Sequence, residues 1–191
     1  MSKVKNIDGT PHFPVVSLFS GAMGLDIGLM QAGLNIAVSQ DYDKWCVETI
    51  KKNGHVGVLG DIRELINQDP SCDFLLKAGG LKKDSVFAVV GGPPCQSFST
   101  AGKRLGVEDE RGQLYNQFIH VVDQLRPRFF VMENVKGLAS TLVDPADKQS
   151  LPLLDHILEK FKALGYHTVH GVLDAVHYGT PQFRERLVII G

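Results

Sequence analysis

Cysteine is scarce in this sequence, and neither sign of charge predominates. The three cysteines, Cys46, Cys72 and Cys95, form an odd and widely spaced set. That excludes a disulfide framework and a zinc-ligand pattern, so no metal is expected. A reducing, cytoplasmic setting is the expectation. Twenty Lys and Arg stand against 21 Asp and Glu, a net charge of -1. A uniformly basic nucleic-acid coat is thereby excluded, although a local basic patch is not. No apolar run approaches the roughly 18 residues of a membrane span. The start, MSKVKNIDGTPHF, lacks the apolar core of a signal peptide. What is present is a globular composition, with 43% hydrophobic and 21% charged residues over 191 positions. One domain of that length buries a sizeable core. Residues 1–12 read as a loose polar segment and 13–191 as the domain.

Short apolar runs recur at 14–20, 35–40, 85–92, 128–135, 167–175 and 186–191, with a weaker one at 57–62. Segments of helical spacing lie at 24–33, 43–53, 113–125 and 151–164. This alternation predicts an α/β fold, a doubly wound and mostly parallel sheet with helices on both faces. The last two runs are joined by a loop too short for a helical crossover, so they should pair antiparallel. Stretches 97–112 and 140–150 read as loops. In such a sheet, function gathers at the carboxyl ends of the strands.

Three of those ends carry a consistent set of residues. The first run passes into FSGAMGL, where Gly21 and Gly24 allow close approach of a ligand to a helix N-terminus. A tight turn without a ligand explains the glycines equally well. The second run ends in Asp41 and Tyr42, an acid placed for ribose hydroxyls and a ring able to pack on adenine. The third ends in Asp61 and Ile62. Each aspartate alone reads as an ordinary helix N-cap, but together the three ends favour a nucleoside pocket.

The fourth run ends in GGPPCQSFS, where two prolines stiffen the loop that presents Cys95. A lone cysteine is more often a small buried hydrophobe. That suits Cys46 and Cys72 but leaves the prolines and glycines around Cys95 unexplained. The fifth run ends in Glu133 and Asn134, where a carboxyl at a buried sheet edge can keep a proton. Its plainer reading is a cap or a structural ion pair. PQFRERLVIIG sets Gln182, Arg184 and Arg186 at alternate positions, which in a strand share one face. That face is either a solvated edge or an anion clamp.

These segments, in this order, resemble the cytosine-C5 DNA methyltransferases over residues 14–191: FSGAMGL the first motif, GGPPCQSFS the catalytic motif, ENVKGL the glutamate motif and QFRER the arginine motif. The resemblance implies a Rossmann-like fold of the S-adenosylmethionine-dependent type. It implies a cofactor pocket lined by Phe19, Gly21, Gly24, Asp41, Tyr42, Asp61, Ile62, Pro93 and Leu114. Cys95 would be the nucleophile and Glu133 its partner on the base, with Arg184 and Arg186 supporting the cytosine and a nearby phosphate. Gln96, Ser97, Asn134 and Gln182 would touch the substrate, and Lys103 and Arg104 on loop 97–112 would meet phosphate from a lid.

The implied chemistry suits these residue types. A thiolate adding to C6 of cytosine makes C5 nucleophilic toward a sulfonium methyl. A carboxyl opposite N3 stabilises the developing charge. The base must leave the stack, so double-stranded DNA is the expected partner and base flipping the expected step. Family members continue into a target-recognition region and a final motif that returns to the sheet. This sequence has neither, so the C-terminal side reads as incomplete: the chain is either a truncated fragment or one subunit of a split enzyme, with a complementing C-terminal subunit as its partner. The alternatives are a non-catalytic cofactor- or DNA-binding module, and a methyltransferase acting on tRNA. A restriction–modification setting is the common one for such enzymes.

Overall fold

The run Pro14–Leu18 forms strand β1, buried along its whole length. A strand covered on both faces needs such an unbroken apolar run. Helix α1 (Gly24–Gln31), strand β2 (Asn35–Asp41), helix α2 (Lys44–Lys52) and strand β3 (Gly57–Leu59) follow. Two short helices come next, α3 (Ile62–Gln68) and α4 (Asp73–Gly79), then β4 (Ala88–Gly91), α5 (Leu114–Leu125) and β5 (Phe129–Val135). Helix α6 (Leu153–Ala163) and strands β6 (Val169–Asp174) and β7 (Glu185–Ile190) complete the series. The structure, a computed structural model, describes residues 13–94, 114–143, 147 and 149–191.

The seven strands run in the order β3-β2-β1-β4-β5-β7-β6. β1 pairs in parallel with β2 and β4, and β2 with β3. β7 lies antiparallel to both β5 and β6. The mostly parallel sheet with an antiparallel end is therefore the expected one. Among the described residues, no helix is long and apolar enough to cross a membrane.

The chain divides into two compact units, Met1–Gly91 with His120–Phe130 and Gly92–Ile119 with Val131–Gly191. The first has its core in Val15, Val16, Leu18, Val38, Ile50, Val89 and Val90, none more than 2% exposed. Its strands begin at an aromatic row, with Phe13 and Phe87 rings 4.6 Å apart and Phe87 and Phe129 5.3 Å apart. Polar side chains gather at the opposite, carboxyl ends. In the second unit, α6 buries Leu153, Leu154, Ile157 and Phe161. Phe118 meets Phe161 edge-on at 6.4 Å. Met132 and Asn134 of β5 and Leu187 and Ile189 of β7 are buried on one sheet face.

Two local departures from the sequence expectation stand out. The run at 57–62 is strand only to Leu59, because Gly60 turns the backbone to φ +154. Residues 62–79 carry two seven-residue helices that the periodicity did not reveal.

Candidate active site

The glycine loop between β1 and α1 is tightly wound. Phe19, Gly21 and Met23 take φ of 53°, 53° and 70°, left-handed at alternate positions. For Phe and Met that conformation is costly, and such strain persists only where the surroundings impose it. The loop is tied at both sides. Ser20 N donates to Gln40 O at 3.1 Å, and Gly21 N donates to Asp41 Oδ2 at 2.7 Å. The second oxygen of Asp41 accepts Asp43 N at 2.9 Å. Asp41 is thus not the cap of α2. That role falls to Asp43, which accepts Trp45 N and Cys46 N at 2.7 and 3.0 Å. Where a Cβ would stand on Gly21 or Gly24 there is open space, with nothing within 4 Å. The bare Cα positions of Gly21 and Gly24 leave room for a ligand to approach this loop closely.

Tyr42 beside it is 67% exposed, a ring face free for stacking. Asp61 caps α3, accepting Arg63 N at 2.9 Å, and the Arg63 guanidinium reaches both its oxygens at 3.0 and 2.6 Å. Those bonds hold its carboxyl below the ordinary range. Ile62 is buried.

Beneath the loop lies a polar cluster that the motifs did not announce. Asp26 of α1, fully buried, accepts Ser17 Oγ at 2.6 Å and Ser39 Oγ at 2.8 Å. Ser20 Oγ of the loop joins Ser17 Oγ at 2.8 Å. Burial outweighs the two hydroxyl donors, and the Asp26 carboxyl is pushed up. The available sequence signal was a serine at an inward position in each of two apolar strands, with an acid on the helix between them.

In the second unit, Glu133 Oε1 pairs with Arg186 Nε at 2.8 Å, both side chains about a quarter to a third exposed. A Cβ added to Gly92 would stand 2.7 Å from Glu133 Oε2. Asn134 Nδ2 donates to Pro93 O at 2.9 Å, and its Oδ1 accepts Val135 N at 2.8 Å. The glutamate motif therefore grips the start of the proline loop directly. The structure draws Gly92, Pro93, Glu133, Asn134 and Arg186 together.

Arg184 and Gln182 lie outside that cluster in a strand sense, because β7 begins only at Glu185. The expected shared face of three alternate residues reduces to Arg186. Arg184 N instead donates to Asp174 Oδ1 at 2.8 Å, and Gln182 N to Thr180 O at 2.7 Å. Leu114 opens α5 and is half-buried. Cys95, Gln96, Ser97, Lys103 and Arg104, with the expected lid 97–112, lie outside the described residues. Among the described residues no group of His, Cys, Asp and Glu could hold a metal. Burial raises the thiols of half-buried Cys46 and of Cys72, the latter to about 12, and Cys72 is a packing residue.

The mostly parallel sheet with a glycine loop after β1 is of the Rossmann-like type. The family model for C-5 cytosine-specific DNA methylases matches residues 13–191, and the chain belongs to that family. It is 40% identical over 184 residues to the type II methyltransferase M.AquIA of Picosynechococcus, covering 93% of this chain and 71% of that one. It is 38% identical over 178 residues to M.FnuDI of Fusobacterium nucleatum, covering 93% of this chain and 46% of that one. Among solved structures, a methyltransferase assigned to DNA modification and encoded within an Escherichia coli prophage matches at TM-score 0.69 and 26% identity. That match covers 94% of this chain and 46% of the other. The S. pombe Dnmt2 methyltransferase shares the fold at TM-score 0.67 and 21% identity, over 94% and 50% of the two chains. The chain spans under half the length of M.FnuDI and of M.NgoFVII.

Proposed function

We propose that this chain is the catalytic portion of a DNA (cytosine-5-)-methyltransferase of the type II kind, acting on a flipped cytosine in double-stranded DNA. The observation that carries the reading is Glu133, held by Arg186 at 2.8 Å and packed over Gly92 of the proline loop. An acid set there can face the Watson–Crick edge of a base whose C6 is offered to Cys95.

The residues divide the work as the chemistry requires. Cys95 thiolate adds to C6 and turns the ring into an enamine-like species. Glu133 faces N3, and a proton shared between the two stabilises the charge that develops there. Arg186 fixes the orientation of that carboxyl. S-adenosylmethionine, when bound, supplies an electrophilic methyl group to C5. The glycine loop would hold its methionine part and Asp41 its ribose, with Tyr42, Asp61 and Ile62 on the adenine side. A base then removes the C5 proton, and the thiolate leaves.

The reading includes a complementing C-terminal portion. Its support is a sheet face exposed among the described residues. Pairing puts Val131, Ile190 and Val169 in one row, and Val135, Arg186 and Leu173 in another. Val135, Ile190, Val169 and Leu173 of that face are 38–68% exposed, whereas the opposite face of β5 and β7 is buried. Apolar surface of this extent calls for a covering element.

The test is a covalent trap. Duplex DNA carrying 5-fluorocytosine should form a stable adduct with the protein when S-adenosylmethionine and the C-terminal portion are supplied, and Cys95→Ser should form none. An adduct that survives the substitution removes Cys95 from the mechanism. Adduct formation without any added portion removes the need for a complement.

A further inference from the structure

Gly92 is glycine for a reason other than backbone freedom, since it is absent from the residues of positive φ. The Cβ it lacks would fall 2.7 Å from Glu133 Oε2, with the next atoms, Glu133 O and Cδ, at 3.7 and 3.9 Å. Only the carboxylate stands in the way. On the next residue, Asn134 Nδ2 takes the carbonyl of Pro93 at 2.9 Å, while its own Oδ1 is fixed by Val135 N. Successive strand residues point to opposite faces, so Glu133 and Asn134 hold residues 92 and 93 from two sides. Arg186 Nε closes the arrangement on Oε1.

We infer that Gly92 is a positioning residue: its bare Cα is the seat on which the Glu133 carboxylate rests, with Asn134 setting the position of that seat through Pro93. The acid and the loop leading to Cys95 are thereby referenced to one strand end. The inference rests on the methyl-transfer reading for its consequence, but its geometry can be tested without it.

Gly92→Ala should displace the carboxylate from Arg186. In the 191-residue chain labelled with 13C at glutamate Cδ, the Glu133 resonance is assigned by its loss in Glu133→Gln. Arg186→Ala should move that resonance in the parent chain and leave it in place in Gly92→Ala. An equal response in both overturns the inference, whatever the enzyme does. Should Gly92→Ala fail to fold, Gly92→Ala with Glu133→Asp should fold, because the shorter acid clears the methyl group. Failure of both also overturns it.

In the complemented enzyme, Gly92→Ala should lower kcat by roughly tenfold to a hundredfold, the scale of an ångström-level misplacement. The KM for S-adenosylmethionine should change less than about twofold, and the loss should vanish in a Glu133→Gln background. Independent, additive losses would overturn the seat. An inactive parent enzyme would overturn methyl transfer and leave the resonance test to decide on Gly92.

Discussion

The carboxylate of Asp41 at the end of β2 accepts the backbone N–H of Gly21, twenty residues earlier, at 2.7 Å. Its other oxygen takes Asp43 N. One side chain thus fixes the glycine loop to the start of α2. Asp41→Ala leaves two amides without partners, one of them in a loop already carrying left-handed Phe19 and Met23. The expected loss of stability is about 1–3 kcal/mol. Cofactor affinity should fall on the order of tenfold, the equivalent of about 1.4 kcal/mol of added loop ordering. Chemical denaturation and calorimetry with S-adenosylmethionine measure the two effects separately. Unchanged cofactor affinity would show that the loop does not need this tie.

Asp26 gives the fold a pH dependence of definite sign. Burial raises its carboxyl above the ordinary value of 3.8. Between that value and the raised one, the unfolded chain has released a proton that the folded chain keeps. Stability from this group is therefore full below 3.8 and is lost as pH rises through the folded value. Asp26→Asn keeps the shape and removes the titration. Subtracting its denaturation free energy from that of the parent chain between pH 3 and 8 should give a difference that falls with pH. A flat difference would show that the carboxyl is not held neutral by burial.

The sheet was readable because buried strands such as β1 and β4 leave continuous apolar runs, and six of the expected runs appear as strands near their bounds, exposed antiparallel β6 among them. Helices α2, α5 and α6 showed their spacing for a related reason: each presents one buried stripe. α3 and α4 were invisible, being only seven residues long. Two turns carry too few apolar positions to establish a period. The site was legible where chemistry demands unusual residues, as at Glu133 and the paired prolines. It was opaque where a role depends on what lies opposite in space. No spacing rule says that Asn134 reaches Pro93, or that Gly92 underlies Glu133. The strand phase proposed for Gln182 and Arg184 failed because the Asp174 side chain binds Arg184 N and the chain turns before Glu185.

Buried Cys72 should be nearly inert toward alkylation while the chain is folded, and half-buried Cys46 should react more slowly than in the unfolded chain. Burial is the main cause in both, aided by Asp41 and Asp43 around Cys46 and by Asp69 and Asp73 around Cys72. Reactivity belongs to the thiolate, so with Cys72 at about 12 its reactive fraction at pH 8 is on the order of one in ten thousand. Iodoacetamide at pH 8 followed by peptide mass analysis should leave Cys72 unmodified in buffer, modify Cys46 slowly there, and modify both rapidly in denaturant. Rapid labelling of Cys72 in the folded chain would contradict its buried position. Cys46→Ser with Cys72→Ser should leave methyl transfer intact.

Gly91 and Gly92 are adjacent and should respond oppositely to the same methyl group. Gly91 pairs with Leu18 across β1 and β4. A Cβ there would collide with Leu18 O, a backbone atom of the adjacent buried strand at the carboxyl end of the pair. Neither strand can give way without breaking its ladder, so Gly91→Ala should cost about 1–3 kcal/mol or more, the scale of an overpacked core. Gly92→Ala meets only the end of a side chain that is a third exposed, and the carboxylate can swing away. Its stability cost should be the smaller of the two, while its effect on methyl transfer should be the larger per unit of stability lost. Thermal denaturation of both variants alongside their kcat values tests the ordering. A Gly92→Ala chain less stable than Gly91→Ala would mean that the proline loop, rather than the β1–β4 ladder, is the tighter constraint on this turn.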